Sequence, residues 1–133
     1  MKTVFADTSF YAAMWNPLDQ WHRVAREWAS RQPAHVVLTE FVIVEMGNYL
    51  SGSRSRTYFS RLVRYLRGDA RTSVIPATSD LLQAGLDLYE ARQDKEWSVT
   101  DCISFVVMEE QGLTEALSSD HHFEQAGFTI LLK

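Results

Sequence analysis

The chain has 133 residues, 46% hydrophobic and 23% charged, with one cysteine and a formal net charge of −4. That length supports a single domain over residues 1–133 with its own core, and the lone Cys102 excludes an internal disulfide and points to a reducing, cytoplasmic setting. No apolar run is long enough for a membrane span or a signal peptide, and the negative net charge argues against wholesale electrostatic wrapping of nucleic acid.

Thr3–Ala6 reads as a short strand ending at Asp7, with Thr8 and Ser9 placed to cap a helix over Phe10–Trp15. Asn16 and Pro17 stop that helix. A second is expected over Asp19–Gln32, with Trp21, Val24, Ala25 and Trp28 on one face and Pro33 at its end. Trp15, Trp21 and Trp28 suit either the core or an interface. Val36–Leu38 is the next strand, followed by a helix from Thr39 to Leu50 and a break at Ser51-Gly52-Ser53.

Thr57–Arg67 is an amphipathic helix with Phe59, Leu62, Val63 and Leu66 on its inner face. Ser73–Ile75 is a third strand and Ser79–Arg92 a helix, and Gln93–Glu96 forms a polar turn. Ser98 opens a helix to Gln111, closed by Gly112 as a left-handed cap. Ala116–Ser118 and Phe128–Leu132 complete the strands. The alternation implies an α/β fold: a mostly parallel sheet of about five strands with helices on both faces. In such sheets ligands bind outside the carboxyl ends of the strands.

Four carboxylates draw attention against that frame. Asp7 and Asp120 follow strands, and Asp101 sits in the first turn of a helix whose amino end faces the same rim. Each also has a structural reading: Asp7 as a helix cap, Asp120 as an Asx-turn residue, and Asp101 as the acid of a Ser98-x-x-Asp101 capping box. Asp101 shares its helix face with Trp97, Phe105 and Met108, which calls for a partner inside. Glu45 is flanked at helical spacing by Phe41, Val42 and Tyr49, where an ionised side chain is costly unless paired or cation-bound. Glu40 competes with it, but a first-turn glutamate is already stabilised by the helix dipole.

Four acids without a basic neighbour in sequence repel one another, and a hard divalent cation relieves that conflict through oxygen ligands. Mg²⁺ or Mn²⁺ suits such a site; zinc is disfavoured, since the soft ligands available are Cys102, His121 and His122. Arg54, Arg56, Arg61, Arg64, Arg67 and Arg71 cluster in one stretch. They form either a solvated face or a phosphate-tracking patch, with Arg54, Arg61, Arg64 and Arg67 the candidates for phosphate contact. Tyr58 and Tyr65 are either stacking platforms for bases or packing residues. No G-x-G-x-x-G or G-x-x-x-x-G-K-[ST] occurs, so dinucleotide and nucleoside-triphosphate sites are unsupported.

Four stretches, in this order, resemble the PIN domain family and within it the VapC-type toxin ribonucleases. They are V-F-A-D-T-S around Asp7, V-E-M over Val44–Met46, W-S-V-T-D-C-I-S-F over Trp97–Phe105, and L-S-S-D-H-H-F over Leu117–Phe123. The resemblance implies a three-layer α/β/α fold with a Mg²⁺ site built by Asp7, Glu45, Asp101 and Asp120, supported from behind by Thr8 and Ser9. It implies endonucleolytic cutting of RNA, a cognate antitoxin and a homodimer. Where many relatives carry a further acid, two residues after the last aspartate, this chain has His122. The alternatives are a non-catalytic PIN-like module that binds RNA or protein, and a general RNA-processing nuclease without an antitoxin. A phosphoacceptor signalling domain fits less well, because the chain lacks paired acids at the first strand end and a late lysine.

Overall fold

The computed structural model describes residues 1–31 and 33–133. Gln32, the last position of the second expected helix, lies outside the described residues. The strands are β1 (Lys2–Ala6), β2 (Ala34–Thr39), β3 (Thr72–Ile75), β4 (Glu115–Leu117) and β5 (Thr129–Ile130). The helices are α1 (Thr8–Trp15), α2 (His22–Arg31), α3 (Glu40–Tyr49), α4 (Arg56–Gly68), α5 (Ser79–Ala91), α6 (Val99–Gln111) and α7 (His121–Gln125).

All strand pairings are parallel, in the order β3-β2-β1-β4-β5. Chain order runs outward from β1 through β2 to β3, then returns across the sheet to β4 and β5. The reversal lies between β1 and β4, the kind of switch point at which a crevice opens beyond the strand ends. Helix contacts fall into two groups, α1 to α4 and α5 to α7, which meet where α3 touches α6. Right-handed crossovers put the two groups on opposite faces, giving three layers.

β1 is central and covered on both faces, which is why Val4, Phe5 and Ala6 are an unbroken apolar run with no exposure. Phe5 meets Phe123, which stacks edge-on against Phe105 with centroids 4.9 Å apart, joining β1 to α7 and α6. On the other side Phe10 packs against Trp28. Trp15 turns elsewhere, to Tyr49 and Tyr58, so the early tryptophans do not form one cluster. Gly85 lets α5 approach α6 closely: a Cβ there would collide with Ile103 Cγ1. Gly112 ends α6 with φ +67°, a left-handed cap.

Several boundaries differ from the sequence reading for local reasons. α1 begins at Thr8, because Asp7 itself is the cap. α2 begins at His22, since Asp19 Oδ1 accepts from Trp21 N at 2.8 Å and holds the preceding turn. β5 is shorter than Phe128–Leu132, and the segment after Asp120 is a helix of five residues, too brief to show a period. Among the described residues, no helix is long and apolar enough to cross a membrane.

Candidate metal centre

Asp7 follows β1 at the switch point and is 5% exposed. Its backbone N–H donates to Leu117 O of β4 at 3.1 Å. Its Oδ2 accepts from Ser9 Oγ at 2.9 Å and from Ser118 Oγ at 3.0 Å, with a longer contact of 3.4 Å from Ser9 N. Those donors fill the lone pairs of Oδ2. No described residue donates to Oδ1.

Asp101 shows the same division. The capping box is complete: Asp101 N donates to Ser98 Oγ at 3.0 Å, and Ser98 N donates to Asp101 Oδ2 at 3.1 Å. His122 Nδ1 adds a second contact to Oδ2 at 3.2 Å, and no described residue donates to Oδ1. Asp120 caps α7 through Oδ1, which accepts from His122 N at 2.9 Å and lies 3.4 Å from His122 Nδ1. Its Oδ2 likewise has no donor among the described residues. The capping readings hold for all three, and each engages only one oxygen of its carboxylate.

Glu45 lies in the middle of α3, partly buried, and neither of its carboxylate oxygens has a hydrogen bond or ion pair among the described residues. The apolar stripe expected around it is only partly inside: Val42 is buried, but Tyr49 is half-exposed. Burial alone is thus a weaker argument for Glu45 than the sequence suggests. Its position is the stronger one, since its charge acts on Asp7. Glu40 differs sharply, with Oε1 accepting from Ala77 N at 2.7 Å and Oε2 pairing with Arg67 at 3.3 Å.

Burial pushes the Asp7 carboxyl up to about 7, against the pull of the Ser9 hydrogen bond. The charges of Asp101 and Glu45 raise it further, and Ser118 lowers it. Burial also raises Asp101; the Ser98 amide lowers it, Asp120 raises it and His122 lowers it. The four acids are thus electrostatic neighbours, as the switch-point geometry requires. Among the described residues no lysine or arginine is ion-paired with any of them; their only basic contacts are His121 and His122.

A set of hard oxygens, each facing away from protein donors and near other negative charge, fits a divalent cation with water completing its shell. The acids keep some distance: the one triad of ligating atoms that closes within 4.8 Å among the described residues is Asp120, His121 and His122.

The supporting hydroxyls are not quite those expected from sequence. Ser9 holds Asp7, but Thr8 Oγ1 is buried with no hydrogen-bond partner. The other hydroxyl comes from Ser118, which also accepts from Asp120 N at 3.0 Å and so links the ends of β1 and β4. Its only sequence signal is its place in the L-S-S-D stretch. Cys102 is fully buried, as a packing thiol should be.

The arginines are all on the surface but not equivalent. Arg54, Arg61, Arg64 and Arg71 are exposed and make no ion pair among the described residues. Arg56 donates to Ser51 O at 3.2 Å, and Arg67 is engaged by Glu40. Tyr58 is partly buried against Trp15, whereas Tyr65 stands in solvent.

Residues 4–129 match the profile of the PIN domain. The 23S rRNA-specific endonuclease VapC20 of Mycobacterium tuberculosis is 31% identical over 126 residues, covering 94% of this chain and 95% of the relative. The crystal structure of M. tuberculosis VapC20, described as a Sarcin-Ricin loop cleaving toxin, superposes with a TM-score of 0.84 at 28% identity, covering 95% and 96% of the two chains. FitAcB from Neisseria gonorrhoeae shares the fold, with a TM-score of 0.67 at 12% identity over 96% of this chain and 95% of that one. With the acids at the switch point of a parallel sheet and the match over nearly its whole length, the chain belongs to the PIN domain family, and within it is similar to the VapC-type toxins.

Proposed function

We propose that this protein is a divalent-cation-dependent endoribonuclease, the toxin of a toxin–antitoxin pair, with Asp7, Glu45, Asp101 and Asp120 holding Mg²⁺ or Mn²⁺. The observation that carries this reading is the shared division of Asp7, Asp101 and Asp120, in which one oxygen is fixed by the protein and the other is left without a donor. Structural caps need only the first oxygen. The likeness to an enzyme that cuts 23S rRNA supports RNA as the substrate, and 23S rRNA is the first one to test.

A bound cation supplies a water of lowered pKa and neutralises charge at the phosphate. The chain's own residues do the positioning. Ser9 and Ser118 fix the rotation of Asp7, the capping box fixes Asp101, and the α7 amide fixes Asp120, so the free oxygens need little reorganisation on binding. No serine or cysteine nucleophile is required.

Arg54, Arg61 and Arg64 are the proposed phosphate contacts, giving affinity without reading sequence. Arg67, the fourth expected from sequence, is held by Glu40, so its role in RNA binding is secondary. The cognate antitoxin and the homodimer rest on the VapC-type resemblance. Exposed Val44, Tyr49, Leu82, Leu86 and Tyr89 offer apolar surface for such contacts.

The test is cleavage of ribosomal RNA by the purified chain with Mg²⁺, with EDTA, and with Asp7→Asn or Asp101→Asn. Cutting by the wild type with Mg²⁺ alone is expected. Undiminished cutting by both folded variants overturns the assignment. A small DNA-binding protein encoded next to this chain would favour the toxin reading; its absence favours a general processing nuclease.

A further inference from the structure

We infer that the centre holds one cation and not two, because the imidazole of His122 occupies the gap between the Asp101 and Asp120 carboxylates. This inference rests on the metal-centre reading above and concerns its stoichiometry.

An ionised carboxylate offers two lone-pair directions on each oxygen. Two ions about 3.5–4 Å apart need carboxylates that bridge them or ligate each through separate oxygens. Asp7 Oδ2 has both directions filled by Ser9 and Ser118. Asp101 Oδ2 has both filled by Ser98 N and His122 Nδ1, at 3.1 and 3.2 Å. Asp120 Oδ1 is faced by His122 N and His122 Nδ1, at 2.9 and 3.4 Å. One oxygen is left on each aspartate, and both only on Glu45. That set would supply one octahedral shell together with water, and Glu45 alone keeps two free oxygens with which to bridge a pair of ions.

His122 is the residue that closes the second position. Its Nδ1 stands within 3.4 Å of oxygens from both Asp101 and Asp120. Against ionised carboxylates, which only accept, the Nδ1–H tautomer is the one that makes these contacts, and its hydrogen points into the space between them. A cation there would have to displace that N–H, and α7 holds the ring in place by packing Phe123 into the core with no exposure.

Titration of Mn²⁺ into the metal-free protein by isothermal calorimetry, with bound ion counted independently by electron paramagnetic resonance, tests this directly. The wild type is expected to bind about one Mn²⁺ per chain. His122→Asp, which removes the N–H and adds a carboxylate, is expected to bind about two. His122→Asn, which keeps an N–H donor, should stay at one, and melting curves confirm that each variant is folded. Two ions in the wild type, including one held by His121 and His122 themselves, overturn the inference while leaving the metal centre standing. So does a folded His122→Asp that still binds one. No ion in the wild type overturns the metal-centre reading and this inference with it.

Discussion

Two acids on the same helix, five residues apart, meet opposite fates. Glu40, at the start of α3, is compensated on both oxygens, by the Ala77 amide and by Arg67, and it ties α3 to α4 and to the segment after β3. Glu45, in the middle of the helix, has no hydrogen-bond or ion-pair partner among the described residues, and its charge raises Asp7. The wider corners of the molecule repeat the contrast. Around Glu40 the charges cancel within the fold, whereas at the rim Asp7, Asp101 and Asp120 each keep, among the described residues, one oxygen without a donor and no lysine or arginine ion pair. Negative charge that folding gathers without pairing it is what the proposed cation would neutralise.

The largest expected difference between the two corners is in activity. Asp7→Asn or Asp101→Asn should lower RNA cleavage by more than about 100-fold, the loss typical of an electrostatic group at a reacting centre. Glu40→Gln should leave the rate within about twofold, since an exposed ion pair contributes at most about 1 kcal/mol. Single-turnover rates on one RNA substrate compare the three. A Glu40→Gln loss as large as that of Asp7→Asn would erase the distinction.

The next effect is on stability and its pH dependence. Asp7 is raised from its ordinary 3.8 to about 7, so the native state holds this proton more tightly than the unfolded chain does. The metal-free protein is therefore most stable at low pH on this account, and loses stability as pH rises from about 4 through about 7. Asp101 is shifted the same way by burial and adds to the slope. The Asp7 shift corresponds to roughly 4 kcal/mol at pH 8. Melting temperatures without metal should fall between pH 5 and pH 8, and Mn²⁺ or Asp7→Asn should flatten that fall. A melting temperature that rises over the same range contradicts the buried-charge account.

Smaller effects separate positioning from packing. Ser118→Ala releases Asp7 Oδ2 and should weaken Mn²⁺ affinity about 10- to 100-fold, as loss of an orienting partner does. Gly85→Ala forces α5 away from Ile103 and should cost about 1–3 kcal/mol in denaturant melts without changing Mn²⁺ affinity. Arg61→Ala and Arg64→Ala should each weaken RNA binding evenly across sequences and reduce the slope of log affinity against log salt by about 1. Arg67→Ala should do so less, because Glu40 already engages that side chain.

Much of this is legible in the chain itself, and the limits have physical causes. The parallel α/β fold shows in the alternation of strands and helices, and Gly112 and the Ser98–Asp101 box are local signals that any context preserves. The strand-end places of Asp7 and Asp120 follow from apolar runs that stop just before them. Ser118 could not be picked out, because its partner Asp7 lies 111 residues away and a serine at a strand end has no distinctive pattern. Thr8 looks as good as Ser9 in sequence, and only the first turn of α1 decides which hydroxyl reaches the carboxylate. Glu40 could be set aside on helix-dipole grounds, yet its actual partners, Ala77 and Arg67, are long-range and invisible to periodicity. The oily stripe around Glu45 overstated its burial, since Tyr49 lies at the edge of the helix bundle.

The most direct measurement is an anomalous difference map from crystals of this protein grown with Mn²⁺ above pH 7. A peak within reach of Asp7 Oδ1, Asp101 Oδ1, Asp120 Oδ2 and the Glu45 carboxylate is expected. A map with no peak there, or with Mn²⁺ found only on His121 and His122, would contradict it.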